Sequence, residues 1–84
     1  MDTALSLDNP MTLDHIPAGQ HARITKIQGD RGLARRLLGL GLRVGSEISV
    51  LQQRNRGVVV ATAGTRVALG SSVADKLLMQ PLNR

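Results

Sequence analysis

The chain has no phenylalanine, tyrosine, tryptophan or cysteine among its 84 residues. Without aromatic rings there is no platform for stacking bases, which counts against single-strand and RNA-recognition modules. An aromatic-lined groove for proline-rich peptides is excluded for the same reason. Without cysteine there is no disulfide and no thiolate metal site. Histidine is scarce: His15 and His21 are the whole supply. No apolar run approaches the roughly 20 residues that cross a bilayer as a helix. The opening MDTALSLDNP lacks the basic start and apolar core of a secretory signal. The expectation is a cytoplasmic protein that is not inserted in the membrane.

What is present is aliphatic and basic. A chain of this length makes one domain, and its core must come from Leu, Val, Ile, Ala and Met. The formal net charge is +5, from eleven Lys and Arg against six Asp and Glu, and ten of the eleven cations lie between Arg23 and Lys76. Such a surface suits nucleic acid, anionic lipid or an acidic protein face. It is also what a merely soluble basic domain would show. The cations are scattered, so no polybasic membrane anchor is formed.

Residues 1–10 are polar, aperiodic and end in Asn9-Pro10, predicting a loose extension before a single domain over residues 11–84. MTLDHIPAG (11–19) predicts one helical or extended turn, capped by Thr12, stopped by Pro17 and Gly19, and seated by Leu13 and Ile16. In QHARITKI (20–27), Ala22 and Ile24 alternate but Ile27 falls out of step, so a strand with a bulge near Thr25 and Lys26 is expected. LARRLLGL (33–40) has helical spacing, with Leu33, Leu37 and Leu40 on one stripe and Ala34 and Leu38 beside it. Gly41 stands where a left-handed residue ends a helix, and Arg43-Val44-Gly45 makes a second turn.

SEISVLQQ (46–53) puts Ile48 and Val50 on one face, with Glu47, Ser49 and Leu51 on the other. RNRG is a hairpin loop in which Asn55 and Gly57 are expected to take unusual backbone angles. VVVATA (58–63) is a strong strand, Gly64 and Thr65 turn the chain, and RVALG (66–70) returns with Val67 and Leu69 inward. SSVADK predicts a short helical turn with a serine cap. LLMQPL closes as a strand with Leu77 and Met79 inward, and Pro81 suits an edge. The pattern is mainly β: five short strands, a helical insertion after the first and a helical turn before the last. Closure into a small barrel would remove the exposed edges.

Chemistry finds little purchase. The spacing Gly39-x-Gly41-x-x-x-Gly45 is one residue too long for a dinucleotide fingerprint, and it follows a helix where the mechanism needs one to begin. No Gly-Lys-Ser/Thr is present for a P-loop. No serine sits in a Gly-x-Ser-x-Gly elbow. Asp14, His15 and His21 could clip a surface ion at most. No catalytic residue, metal ligand or cofactor is expected, and the chain does not read as an enzyme.

The leucines and arginines around the helix remain. Arg35 and Arg36, with Arg31 and Arg43 nearby, are either phosphate contacts or the wet face of an amphipathic helix. Leu33, Leu37, Leu38, Leu40 and Leu42 exceed what one stripe needs. Leu37 and Leu40 are assigned to the core. Leu33, Leu38 and Leu42 are either core or an exposed patch that docks a partner. Exposed leucines would also favour weak self-association.

The ordered set ARITKI, GDRGLARRLLGLGLRVGSEISVLQQ and GVVVATAGTRVALGSSVADKLLMQPL resembles the FeoA family, the small cytosolic components of bacterial ferrous-iron uptake. The resemblance spans about residues 11–82. Its most specific part is RRLLGLGLRVGSEISV, with Gly41, Leu42, Gly45, Ile48 and Val50 at matching places. Val58, Val60, Gly64, Val67, Leu69, Ala74, Leu77 and Met79 match later segments. The resemblance implies an SH3-like barrel and a non-catalytic accessory protein acting on FeoB, a membrane ferrous-iron transporter with a cytoplasmic GTP-binding domain. The same domain ends metal-dependent repressors of the diphtheria-toxin-repressor type, whose DNA-binding helices this chain lacks. Partner-binding residues are expected at Leu33, Leu38, Leu42, Arg35 and Arg36, and structural turns at Gly41, Gly45, Gly57 and Gly64. The competing expectation is a basic barrel that binds RNA or other nucleic acid through the arginine face, which the missing aromatics disfavour.

Overall fold

Alternating apolar residues build most of the observed fold. A computed structural model describes residues 11–83; the expected extension over residues 1–10 lies outside them. The elements are β1 (Met11–Thr12), a 3-10 turn (Leu13–His15), β2 (His21–Ile27), α1 (Arg31–Gly39), β3 (Glu47–Arg54), β4 (Gly57–Thr62), β5 (Thr65–Gly70), α2 (Ser71–Ala74) and β6 (Leu77–Leu82). All neighbouring strands run antiparallel, in the order β1-β6-β2-β3-β4-β5.

This corrects the expected five-stranded closed barrel. There are six strands among the described residues, and the end strands β1 and β5 do not pair with each other. The extra strand is the two-residue β1, held by Met11↔Met79 and Thr12↔Leu78. Closure by strand pairing stops there because the chain leaves the sheet at Leu13 as a 3-10 turn. That turn packs against β4, β6 and α2 and buries Leu13 and Ile16. The Gln53 amide Nε2 donates to the Leu13 and Ile16 carbonyls at 3.2 and 2.6 Å, tying the turn to β3. The turn therefore covers the core where β4, β6 and α2 meet, and the sheet ends at β5.

The period-2 pattern places the core as expected. Ala22 and Ile24, Ile48 and Val50, Val58 and Val60, Val67 and Leu69, and Leu77 and Met79 are all buried in one cluster. Each fully buried Val, Leu, Ile or Met contributes about 1.5–3 kcal/mol, and no aromatic is needed. The break between Ile24 and Ile27 is a real irregularity: the β2–β6 register shifts between Ile24 and Lys26. A second shift falls between Val50 and Gln52, beside the outward-facing Leu51.

Three local expectations fail. Neither Asn55 nor Gly57 takes a positive φ in the two-residue β3–β4 hairpin. Gly57 is needed for close approach instead: a Cβ there would lie 2.6 Å from the Leu69 carbonyl oxygen. No serine side chain caps α2, where Gly70 holds the cap position. Thr12 precedes the 3-10 turn without capping it; its hydroxyl is taken by the Asp14 carboxylate and His15 Nδ1. Gly41, Gly45 and Gly64 do adopt positive φ, at 87°, 97° and 82°.

Candidate docking surface

The surface begins with a capped helix. The Asp30 carboxylate accepts a hydrogen bond from the Leu33 N–H at 2.9 Å, satisfying a free donor of the first turn. Four residues apart, Leu33 and Leu37 face the core together. After Leu40 the helix ends in a Schellman turn. The Leu42 N–H donates to the Leu37 carbonyl at 2.8 Å and the Gly41 N–H donates to the Leu38 carbonyl at 2.9 Å. The following loop is pinned to β2, with Gly45 N–H to Ile24 carbonyl at 2.7 Å and Ile24 N–H to Ser46 carbonyl at 2.9 Å.

This backbone decides which leucines are free. Leu33 and Leu42 retain only 9% and 1% of their accessible surface and belong to the core, so they form no part of an exposed patch. Leu38 is exposed, at 57%. Leu40, assigned to the core by helical spacing, is 47% exposed, because the Schellman turn folds Leu42 back into the core beside Leu37. Val44, concealed in the sequence as part of a turn, is 56% exposed. The structure thus replaces the set Leu33, Leu38 and Leu42 with Leu38, Leu40 and Val44, all within seven consecutive positions on a fixed loop and helix end. A β-branched aliphatic inside an Arg-x-Gly turn was the one available sign of Val44.

Four arginines neighbour these aliphatics in the chain, and Arg36 among them lines a cleft with Gly29, Leu33 and Val73. On α1, Arg31, Arg35 and Leu38 follow the spacing that puts them on one outward face, and Arg35, Arg36 and Arg43 are exposed. Every acid among the described residues is engaged elsewhere. Asp14 meets His15 at 3.3 Å, Glu47 meets Arg23 at 3.0 Å, Asp75 meets Lys76 at 3.5 Å, and Asp30 caps α1. Arg31, Arg35, Arg36 and Arg43 therefore have no acidic partner among the described residues.

The glycine-rich stretch offers nothing for phosphate. Gly39 and Gly41 sit at the C-terminal end of α1, where free carbonyls and the negative end of the helix dipole repel anions. His21 is not gathered with Asp14 and His15; its Nδ1 hydrogen-bonds Ser49 Oγ at 3.2 Å. Among the described residues no three His, Cys, Asp or Glu side chains cluster to hold a metal ion. None of the described helices is long and apolar enough to cross a membrane.

A family model described as the FeoA domain matches residues 11–81. A protein of Methanocaldococcus jannaschii named for Fe(2+) transport, as transport protein A, is 29% identical over 62 residues, covering 74% of this chain and 76% of that protein. The crystal structure of an iron uptake regulatory protein (FeoA) matches with a TM-score of 0.82 at 24% identity, over 87% of this chain and 99% of that one. A manganese-dependent transcriptional repressor also reaches 0.82 at 24% identity, over 87% of this chain but only 41% of its own. The two structural likenesses speak for the fold, which is consistent with an SH3-like sheet carrying a helical insertion.

Proposed function

This chain belongs to the FeoA family of ferrous-iron transport systems, and from that membership we propose that it docks, as a non-catalytic accessory protein, on the cytoplasmic GTP-binding part of an FeoB-type transporter. The docking face is the helix end and loop carrying Leu38, Leu40 and Val44. The observation that supports this reading is their exposure beside a buried Leu37 and Leu42. Three aliphatics held in water by a rigid turn are a costly arrangement unless another surface covers them. Arg35 and Arg36, exposed on the same helix, guide approach and orientation more than they add affinity.

In this role the protein modulates the transporter's assembly or activity by contact, with no cofactor of its own, at the cytoplasmic face of the membrane. Association of the full chain with the cytoplasmic domain of its cognate transporter tests the reading. Co-elution at micromolar concentrations supports it. Failure to associate in solution and in membranes, alongside salt-sensitive RNA binding through Arg31, Arg35, Arg36 and Arg43, would overturn it in favour of the nucleic-acid reading.

A further inference from the structure

A second surface lies on strands that play no part in that docking face. The β4–β5 hairpin closes on Thr62↔Thr65, with Ala63 and Gly64 both at positive φ, 49° and 82°, in the two-residue turn. That is the pattern of a type I′ hairpin, whose closing pair exchanges main-chain hydrogen bonds. The register then runs without a shift to Gly57↔Gly70. Bonded pairs are therefore Thr62–Thr65, Val60–Val67 and Val58–Leu69. The intervening Arg66 and Ala68 turn their N–H and C=O groups away from β4, toward the open side of a strand that ends the sheet. No described residue hydrogen-bonds these groups.

The edge is little protected. Strand edges are commonly blunted by proline, a bulge, shortness or charge; β5 is six residues long, has no proline or register shift, and carries one charge, Arg66. On the outer face of the sheet, across β3, β4 and β5, opens a cleft of about 310 Å³ lined by Arg54, Arg56, Gly57, Val59, Ala68 and Gly70. Arg54, Arg56 and Arg66 have no acidic partner among the described residues. The open edge calls for an extended chain, and the arginines on the edge strand and the adjoining face call for carboxylates.

We propose that the free edge of β5 binds an acidic protein segment in extended conformation, adding it to the sheet as a further strand. A second copy of this chain is a poorer occupant. Each copy brings a formal charge of +5, so two copies repel where an acidic segment is attracted. An acidic segment gains where a second copy loses.

The test follows amide hydrogen exchange of the full chain with an acetylated, amidated six-residue peptide alternating valine and glutamate, and with its valine–lysine counterpart. The glutamate peptide is expected to slow exchange at Arg66 and Ala68 at least tenfold, less so as salt rises, and the lysine peptide to leave it unchanged. Ala68→Pro removes an outward N–H without breaking a bond to β4, so it should weaken peptide binding at least tenfold with little change in melting temperature. Should that variant not fold, the double substitution Arg54→Glu and Arg56→Glu must produce the same loss. The proposal is overturned by unchanged exchange at saturating glutamate peptide or by equal protection from the lysine peptide. Protection of Arg66 and Ala68 that grows with protein concentration alone would overturn it in favour of a second copy.

Discussion

The Leu42 N–H bonded to the Leu37 carbonyl, at 2.8 Å, holds two leucines in the core and leaves Leu38 and Leu40 between them in solvent. One backbone hydrogen bond across a Schellman turn thus separates the packing leucines from the exposed ones. The turn depends on Gly41, whose φ of 87° favours glycine and whose surroundings leave open space for a methyl group.

Gly41→Ala is accordingly a purely conformational perturbation. It should cost about 1–2 kcal/mol, the penalty of placing an L side chain in the left-handed region. Gly41→Asn should cost less, since asparagine tolerates that region. Thermal unfolding checks both, with each kcal/mol worth about 4–8 °C in a domain of this size.

Ala63 offers the opposite experiment. It is the one non-glycine residue at positive φ among the described residues, in the first turn position of the β4–β5 hairpin. Ala63→Asn creates the Asn-Gly pair that type I′ turns prefer. The variant should gain roughly 1 kcal/mol, the alanine strain removed, and show a higher melting temperature.

Leu40 and Leu42 should diverge on truncation although they lie two residues apart. Leu42→Ala empties a buried site and should cost about 2–5 kcal/mol, a large share of the stability of a domain this small. Leu40→Ala removes an exposed side chain and should stay within about 0.5 kcal/mol. Denaturant titration of the two variants measures the contrast.

Much of this architecture was legible in the residues. Period-2 alternation at Ile48 and Val50, and again at Val58 and Val60, places the strands and their inward faces. The misfit of Ile27 against Ala22 and Ile24 marks the register shift near Thr25. Two-residue β1 was not legible because two residues carry no period. Leu40 was misplaced because a helical wheel continues the Leu33–Leu37 stripe past the point where the helix ends. Only the backbone reversal at Gly41 gives the core position to Leu42. Gly57 misled for a different reason: its requirement comes from the Leu69 carbonyl of a neighbouring strand, which no local motif records. The proposed docking face was half legible, through Leu38 and its arginines, while Val44 was concealed in a turn.

The central claim is that Leu38 belongs to a surface covered by the transporter. Titration of the transporter's cytoplasmic domain with wild-type protein and Leu38→Asp, with thermal unfolding as a control, tests it most directly. Because Leu38 is exposed, the aspartate variant should unfold within a few degrees of wild type, on the order of 0.5 kcal/mol of stability. Its binding should weaken by roughly thirtyfold or more, the loss of a central apolar contact worth about 2 kcal/mol. A Leu38→Asp variant that binds as tightly as wild type would contradict the account.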